Sequence, residues 1–481
     1  MSYSTDSLPN IIYILADDLG YGDVSCYNEH SKIQTPHLDQ LAAGGMKFTD
    51  AHSGSAVCTP TRYGVLTGRY AWRSRLEQGV TWSYSRPLID PNRLTVADVL
   101  HSKGYQTACI GKWHLGVDWG MDAVTSAIDF FQPLHQGPLA YGFDYFFGIA
   151  ASLDIPPYLY IENDRITAAR IDTIAASEVP AFWREGPIGN DVNIEEVLPT
   201  FTQKAVDYIE SAAKKERPFF LYFPLPAPHT PIVPTEAFQG KSHTNAYGDF
   251  VLMVDDVVGQ IMETLAQTGE ADHTLIIFTS DNGFAPYANL EELIQMGHQP
   301  SSIYRGHKAD IYEGGHRVPF IASWTDKIKA GSTSEETICL TDFMATAANL
   351  VGANLSETEA EDSYDLTPIL FFESYNAPLR EATIHHSVNG SFAIRRGKWK
   401  LNFCGGSGGW SFPTPKEVEA NDLLRLQLFD LENDPSEQVN LATEKPEIVE
   451  QLTTLMQSIV DNGRSTAGTP QKNDRTVSFK K

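Results

Sequence analysis

"NIIYILADD" (residues 10–18) decides the fold. The stretch is apolar without a break from Ile11 to Ala16 and then stops at Asp17 and Asp18. A short run that is apolar at every position, rather than at every second one, reads as a strand buried on both faces. Three further stretches share the pattern. "YQTACIGKWHLG" stops at Lys112, Trp113 and His114; "RPFFLYFPLPAPH" carries Phe219 to Phe223 and then reaches His229; "HTLIIFTSDNG" stops at Asp281 and Asn282.

The segments between these strands carry helix punctuation. Thr35 and Pro36 suit the cap and first turn of a helix through Leu41 that stops at Gly44–Gly45. Thr95 with Asp98 three residues later opens a second helix, ending at Gly104. "YGDFVLMVDDVVGQIMETLAQTG" has apolar residues at helical spacing and ends at Gly269. Buried strands alternating with amphipathic helices predict an α/β fold, a large mixed, mainly parallel sheet sandwiched by helices. Ligands in such sheets collect beyond the carboxyl ends of the strands. That edge would gather Asp17, Asp18, Lys112, His114, His229, Asp281 and Asn282.

Residues 120–200 read as a long irregular stretch of loops. Beyond about residue 375 the texture changes. "SFAIRRGKWKLNF" reads as a half-exposed strand pair, "LQLFDLENDPSEQVNLA" as a strand and an acidic turn, and "KPEIVEQLTTLMQSIVDNG" as a helix. We therefore expect a large α/β domain over 1–375, carrying the chemistry, and a small C-terminal α+β domain with an antiparallel sheet over 376–481.

Composition narrows the partners. At 481 residues, 42% hydrophobic and 20% charged, the chain is of ordinary globular make-up, and its net charge of −25 argues against nucleic acid and against an anionic membrane surface. An anionic substrate would need a local basic pocket against that field. No apolar run is long enough to span a membrane. "MSYSTDSLPN" shows no basic start followed by an apolar stretch, so no export signal is read there, which leaves open a cytosolic protein or a mature, processed chain. Five scattered cysteines (Cys26, Cys58, Cys109, Cys339, Cys404) make neither a disulfide scaffold nor a Cys-x-x-Cys zinc site.

Asp17–Asp18 and Asp281–Asn282 are hard oxygen donors at two strand ends. Each pair alone is a common turn or cap; converging, they suit Ca²⁺ or Mg²⁺, with zinc not excluded by residue type. Lys112 and His114 would share a face if locally extended. "APHTP" holds His229 between Pro228 and Pro231, and "RGHKADIYEGGHRVPF" supplies Lys308 with Arg305, His307, His316 and Arg317 nearby. Together these groups could form an anion pocket with one or two proton carriers. In "SGSAVCTPTRYGVLTGRY" (residues 53–70), Pro60 suits the first position of a helix, which places Cys58 at or just before a helix N-terminus, with Arg62 adding a fixed cation. A thiolate of lowered pKa is the plain reading of Cys58, but it leaves the metal ligands unexplained.

Cys58-Thr59-Pro60-Thr61-Arg62, continuing into Leu66-Thr67-Gly68-Arg69, resembles the signature of the type I, formylglycine-dependent sulfatases of the alkaline phosphatase superfamily. The likeness runs from "NIIYILADDLGYGD" to "LFDLENDPSEQVNLA". It implies that Cys58 is oxidised to formylglycine by a formylglycine-generating enzyme and that Ca²⁺ (or Mg²⁺) is held by Asp17, Asp18, Asp281, Asn282 and the modified Cys58. It further implies that Arg62 steadies the formylglycine, that Lys112 and Lys308 bind the sulfate ester, and that His114 and His229 are catalytic. One hydroxyl of the hydrated aldehyde attacks sulfur, the leaving oxygen takes a proton from His229 with Lys308 assisting, and His114 then deprotonates the other hydroxyl to expel sulfate. Thr61 stands where many members have serine, and keeps the hydroxyl.

The wording of "GFDYFFGIAASLDIPPYLYIENDR" resembles bacterial polysaccharide sulfatases and N-acetylgalactosamine-6-sulfatase-like enzymes. This implies a sulfated galactose-type or N-acetylgalactosamine sugar, with its 6-O-sulfate as target. Asp154, Tyr158, Tyr160, Arg305 and His307 are the candidate sugar contacts. Exported relatives imply a periplasmic or extracellular setting. Two alternatives are a phosphonate or phosphodiester hydrolase of the same superfamily and an inactive sulfated-glycan-binding protein.

Overall fold

The computed structural model describes residues 8–123, 125 and 127–480. Residues 1–7, on which the reading of no export signal rests, lie outside the described residues. Its centre is a ten-stranded sheet in which the strands Thr274–Ser280, Asn10–Ala16, Phe219–Pro224, Gln106–Lys112 and Tyr145–Ile149 lie side by side and parallel. Antiparallel strands continue both edges, Phe320–Ser323 and Met46–Phe48 on one side and Ile161–Glu162 and Arg165–Ile166 on the other. The sheet is mixed and mainly parallel, as the apolar runs predict.

Asn10–Ala16 shows why its sequence has no polar break. Ile11, Tyr13 and Leu15 enter one core with residues of the helices Cys58–Thr67, Val96–Ser102 and Phe343–Leu350. Ile12, Ile14 and Ala16 enter the other, with residues of Pro36–Ala43, Val197–Ala212 and Ala246–Thr268. Each successive side chain thus removes apolar surface from water, on alternating faces. The punctuation holds as well. Thr95 accepts from the Asp98 N–H in a capping box, Asn245 caps the long helix, and Gly269 closes it at φ 79°.

The stretch 120–200 is less irregular than its sequence suggests. It contains Tyr145–Ile149 as a sheet strand, the hairpin Ile171–Ile174 with Gly186–Gly189, and the start of the helix Val197–Ala212. The two to five residues of each strand are too few for periodicity to register.

A four-stranded antiparallel sheet follows, Thr383–His386, Phe392–Arg396, Trp399–Asn402 and Gln427–Asp430 in chain order. The helix Pro446–Asp461 covers one face through Leu452, Met456, Ile459 and Val460. Ion pairs fasten this sheet to the first unit: Arg395 to Asp50 at 2.7 Å, part-buried, and Lys400 to Glu313 at 3.0 Å, fully buried. Removing one partner of such a pair leaves a buried charge uncompensated and costs about 3–5 kcal/mol. Among the described residues no helix is long and apolar enough to cross a membrane.

Candidate active site

The parallel register sets the site. Ala16 pairs with Ser280, so the residues that follow, Asp17–Asp18 and Asp281–Asn282, leave the same sheet edge side by side. Lys112 ends its strand at that edge, and the loop after Pro224 returns His229 to it. All are buried, Asp17, Asp18, Asp281, Asn282 and Lys112 completely.

These groups neutralise one another in a fixed pattern. Lys112 Nζ donates to Asp17 Oδ2, and Lys308 Nζ donates to the Asp18 carboxylate at 2.8 Å. Arg62 Nε and Nη2 both reach Asp281 Oδ2, at 3.1 and 2.7 Å, while Nη1 donates to the Lys112 carbonyl at 2.8 Å. Asn282 Nδ2 donates to Asp18 Oδ1 at 2.7 Å. Burial and the adjacent Asp17 push Asp281 up. Burial would raise Asp17 too, but Lys112, His229 and Arg62 outweigh it and hold it low. Two carboxylates that resist ionising together are what a dication relieves.

Two oxygens test whether the residues fit such an ion. Asp17 Oδ1 and Asn282 Oδ1 are buried with no hydrogen-bond partner, a costly state unless something else binds them. Asp17, Asp18 and His229 also bring ligand atoms within 4.8 Å of one another. An all-oxygen set of three carboxylates and an amide carbonyl fits a hard divalent cation.

Cys58 is the first residue of the helix Cys58–Thr67, which makes Pro60 the third and not the first. Its thiol is not activated. Burial pushes it up to about 11 against the pull of Lys112 and Lys308, so the plain thiolate reading fails at this site. Cys58 Sγ lies 3.3 Å from His114 Nδ1, and His114 Nε2 lies 2.8 Å from the Thr81 carbonyl. A carbonyl only accepts, so Nε2 carries the proton and Nδ1 presents a lone pair to residue 58. Burial, Lys112 and Arg62 hold His114 well below the usual histidine range, which keeps it a neutral base. His114 has φ 54°, so Lys112 and His114 do not share an extended face. The left-handed turn aims each at the site separately.

His229 Nδ1 lies 2.5 Å from the Thr230 carbonyl, and its Nε2 stands 3.6 Å from Asp18 Oδ2. Burial and Lys308 lower its pKa. Asp18 and Tyr287 keep Lys308 protonated despite its burial. Cys58, His114, His229 and Lys308 line one cavity of about 460 Å³, with Trp82, Asp154, Phe182, Arg184, Tyr287 and Trp410 among its walls.

The candidate sugar contacts divide. Asp154 lines this cavity, one carboxylate oxygen 2.6 Å from Arg184 Nη1 and the other buried without a partner. The others do not line it. Tyr158 is buried and donates to the Arg184 carbonyl at 2.7 Å, and Tyr160 packs on Phe147 and Phe201. Arg305 lies over the Tyr312 ring and donates to the Glu437 carbonyl at 2.7 Å; His307 pairs with Asp310 at 3.3 Å. Arg317 is spent on Asp50 and Glu313. His316 stacks on His385 with ring centroids 3.7 Å apart and planes 8° apart. Parallel rings do not aim their in-plane lone pairs at one ion, so His316 and His385 as placed do not both face a common metal.

Sequence reasoning missed Trp82, Arg184, Tyr287 and Trp410. Only Tyr287, five residues past Asn282, carries a positional signal.

Comparison with known proteins identifies the family. Residues 9–353 match the sulfatase family model. The chain is 36% identical to the N-acetylgalactosamine-6-O-sulfatase of Bacteroides thetaiotaomicron, over 94% of this chain and 93% of that one. It is 34% identical to human arylsulfatase A, over 93% and 87%. A solved Bacteroides thetaiotaomicron structure from work on glycosaminoglycan metabolism superposes with a TM-score of 0.84 at 34% identity, over 94% of this chain and 99% of that one. A buried cluster of oxygen donors, a cysteine facing a histidine and a family match across most of the chain lead to one conclusion: this protein belongs to the sulfatase family and is a sulfuric ester hydrolase.

Proposed function

We propose that this enzyme removes sulfate from a carbohydrate of galactose or N-acetylgalactosamine type, with the 6-O-sulfate as target, using residue 58 as formylglycine and Ca²⁺ as its metal. The cavity supports the sugar reading. Trp82 and Trp410 are 50% and 44% exposed at its walls, offering aromatic faces to the apolar side of a sugar ring. In the same cavity the Asp154–Arg184 pair offers acceptor and donor groups to hydroxyls. The names of the bacterial relative and the related structure supply the sugar class.

Asp17, Asp18, Asp281 and Asn282 would hold the metal, and a maturation enzyme would oxidise Cys58. When present, these two groups supply charge stabilisation at the sulfate oxygens and an oxygen nucleophile in place of an inert thiol. Around them the chain's own residues have assigned work. Arg62 fixes Asp281 and the Lys112 carbonyl, Lys112 and Lys308 offset charge on the sulfate oxygens, and His114 Nδ1 takes a proton from the side chain of residue 58. On the leaving side Lys308 carries its proton at rest and stands as donor to the departing oxygen. It takes the part that the resemblance gives first to His229, whose neutral ring spends its one N–H on the Thr230 carbonyl.

The test is enzyme co-expressed with a formylglycine-generating enzyme, the Cys58 peptide weighed, and sulfate release measured on galactose and N-acetylgalactosamine 6-sulfates, their 3- and 4-sulfates, an aryl sulfate and phosphate diesters. Preference for the 6-sulfated sugars is expected. Turnover of aryl sulfate alone would overturn the sugar assignment, and faster phosphate diester cleavage would favour the phosphodiesterase alternative.

A further inference from the structure

We propose that Tyr287 is a positioning residue that aims Lys308 at the departing oxygen; this rests on the sulfate-ester reading above. Tyr287 lies in the turn Pro286–Ala288, lines the catalytic cavity, and touches three of the groups around it. Its hydroxyl donates to Asp18 Oδ2 at 2.9 Å, accepts from Lys308 Nζ at 3.0 Å, and stands 3.4 Å from His229 Nε2. The Trp410 ring packs behind it, with centroids 6.0 Å apart.

Lysine is a flexible point charge with three donors. Here both Asp18 carboxylate oxygens lie 2.8 Å from Nζ on one side and the Tyr287 hydroxyl 3.0 Å from it on another, and the two contacts together set which way the remaining N–H points. Without the phenol the ammonium would have Asp18 as its only anchor and could rotate about it. When the sulfur–oxygen bond breaks, the leaving oxygen keeps the bonding pair and takes one proton from Lys308 Nζ; the nucleophilic oxygen takes its place on sulfur. A misaimed ammonium slows this transfer, and the penalty grows with the basicity of the leaving oxygen.

Tyr287→Phe removes the hydroxyl and keeps the ring. On esters of graded leaving-group acidity, from 4-nitrophenyl sulfate through phenyl sulfate to a sugar sulfate, we expect kcat/KM to fall at most about 3-fold at the acidic end and at least about 10-fold at the basic end. Combined with Lys308→Gln, the variant should add little further loss, because both act on one proton. Equal losses across the series, or additive losses in the double variant, would overturn the proposal alone. So would a Tyr287→Phe protein that fails to fold where Lys308→Gln folds, since the hydroxyl would then belong to the scaffold. A formylglycine-bearing wild type inert toward every ester would overturn the sulfate-ester reading and this proposal with it.

Discussion

His114 turns its bare Nδ1 toward Cys58 Sγ, 3.3 Å away, because the ring's one proton sits on Nε2, which donates to the Thr81 carbonyl. In the proposed mechanism this base serves the step that frees sulfate from the enzyme. His114→Ala should therefore release leaving group in a burst near one equivalent and then turn over about 10²–10⁴-fold more slowly. Rapid-mixing release of 4-nitrophenol would show it. A slow first turnover without a burst would assign His114 to the earlier step.

Asp17 Oδ1 and Asn282 Oδ1, buried without hydrogen-bond partners, should make the fold itself respond to the proposed ion. Dialysis against a chelator should lower both activity and melting temperature, and Ca²⁺ should restore both. At a hundredfold excess over Kd the ion stabilises by about 2.7 kcal/mol. Asn282→Ala should lose the Ca²⁺-dependent part of the melting shift as well as most activity, read by calorimetry with and without the ion.

At the cavity wall, Asp154 has one oxygen on Arg184 and the other unpaired. Asp154→Asn and Trp410→Ala should each raise KM for sugar sulfates about 10-fold, roughly the 1–2 kcal/mol of a lost hydrogen bond or ring contact. Turnover of 4-nitrophenyl sulfate should hardly change, since neither residue reaches the sulfate-binding lysines.

Far from the site, Asp255 accepts the N–H groups of Leu38 and His37, at 2.8 and 3.2 Å, under the first turn of the helix Pro36–Ala43. Burial, opposed by those N–H groups, raises it from 3.8 to about 6. The folded state then holds a proton that the unfolded chain has released. This contribution is fully present below about pH 4 and is lost as pH rises through 6, about 1–3 kcal/mol in all. Urea midpoints between pH 4 and 7 should lose that slope in Asp255→Asn.

What the chain discloses by itself follows from how each feature is encoded. Strands buried on both faces must be apolar throughout, so Asn10–Ala16 and Thr274–Ser280 and the acids ending them stand out in one dimension. Cys58 and Arg62 lie within one helix, four residues apart, so local spacing carries their relation. Cavity walls have no such code. Trp82, Arg184 and Trp410 come from separate loops and meet only through tertiary packing, whereas Arg305 and His307, neighbours of Lys308 in sequence, turn away from it. The direction of the Cys58 pKa shift was hidden for the same reason: a helix N-terminus favours the thiolate, but burial, invisible in sequence, overrides it.

Trp410 reaches the cavity from the glycine-rich loop that follows Trp399–Asn402. Gly409 lets this loop lie so close that a Cβ there would stand 2.4 Å from the Ala309 carbonyl, and the Trp410 N–H docks on Asp310 at 2.8 Å. The antiparallel sheet is thereby a co-owner of the pocket, and occupancy and attachment become reciprocal quantities. A glycan that rests on Trp410 should tighten the grip of the last hundred residues on the rest, and a change that loosens that grip should weaken the glycan in turn.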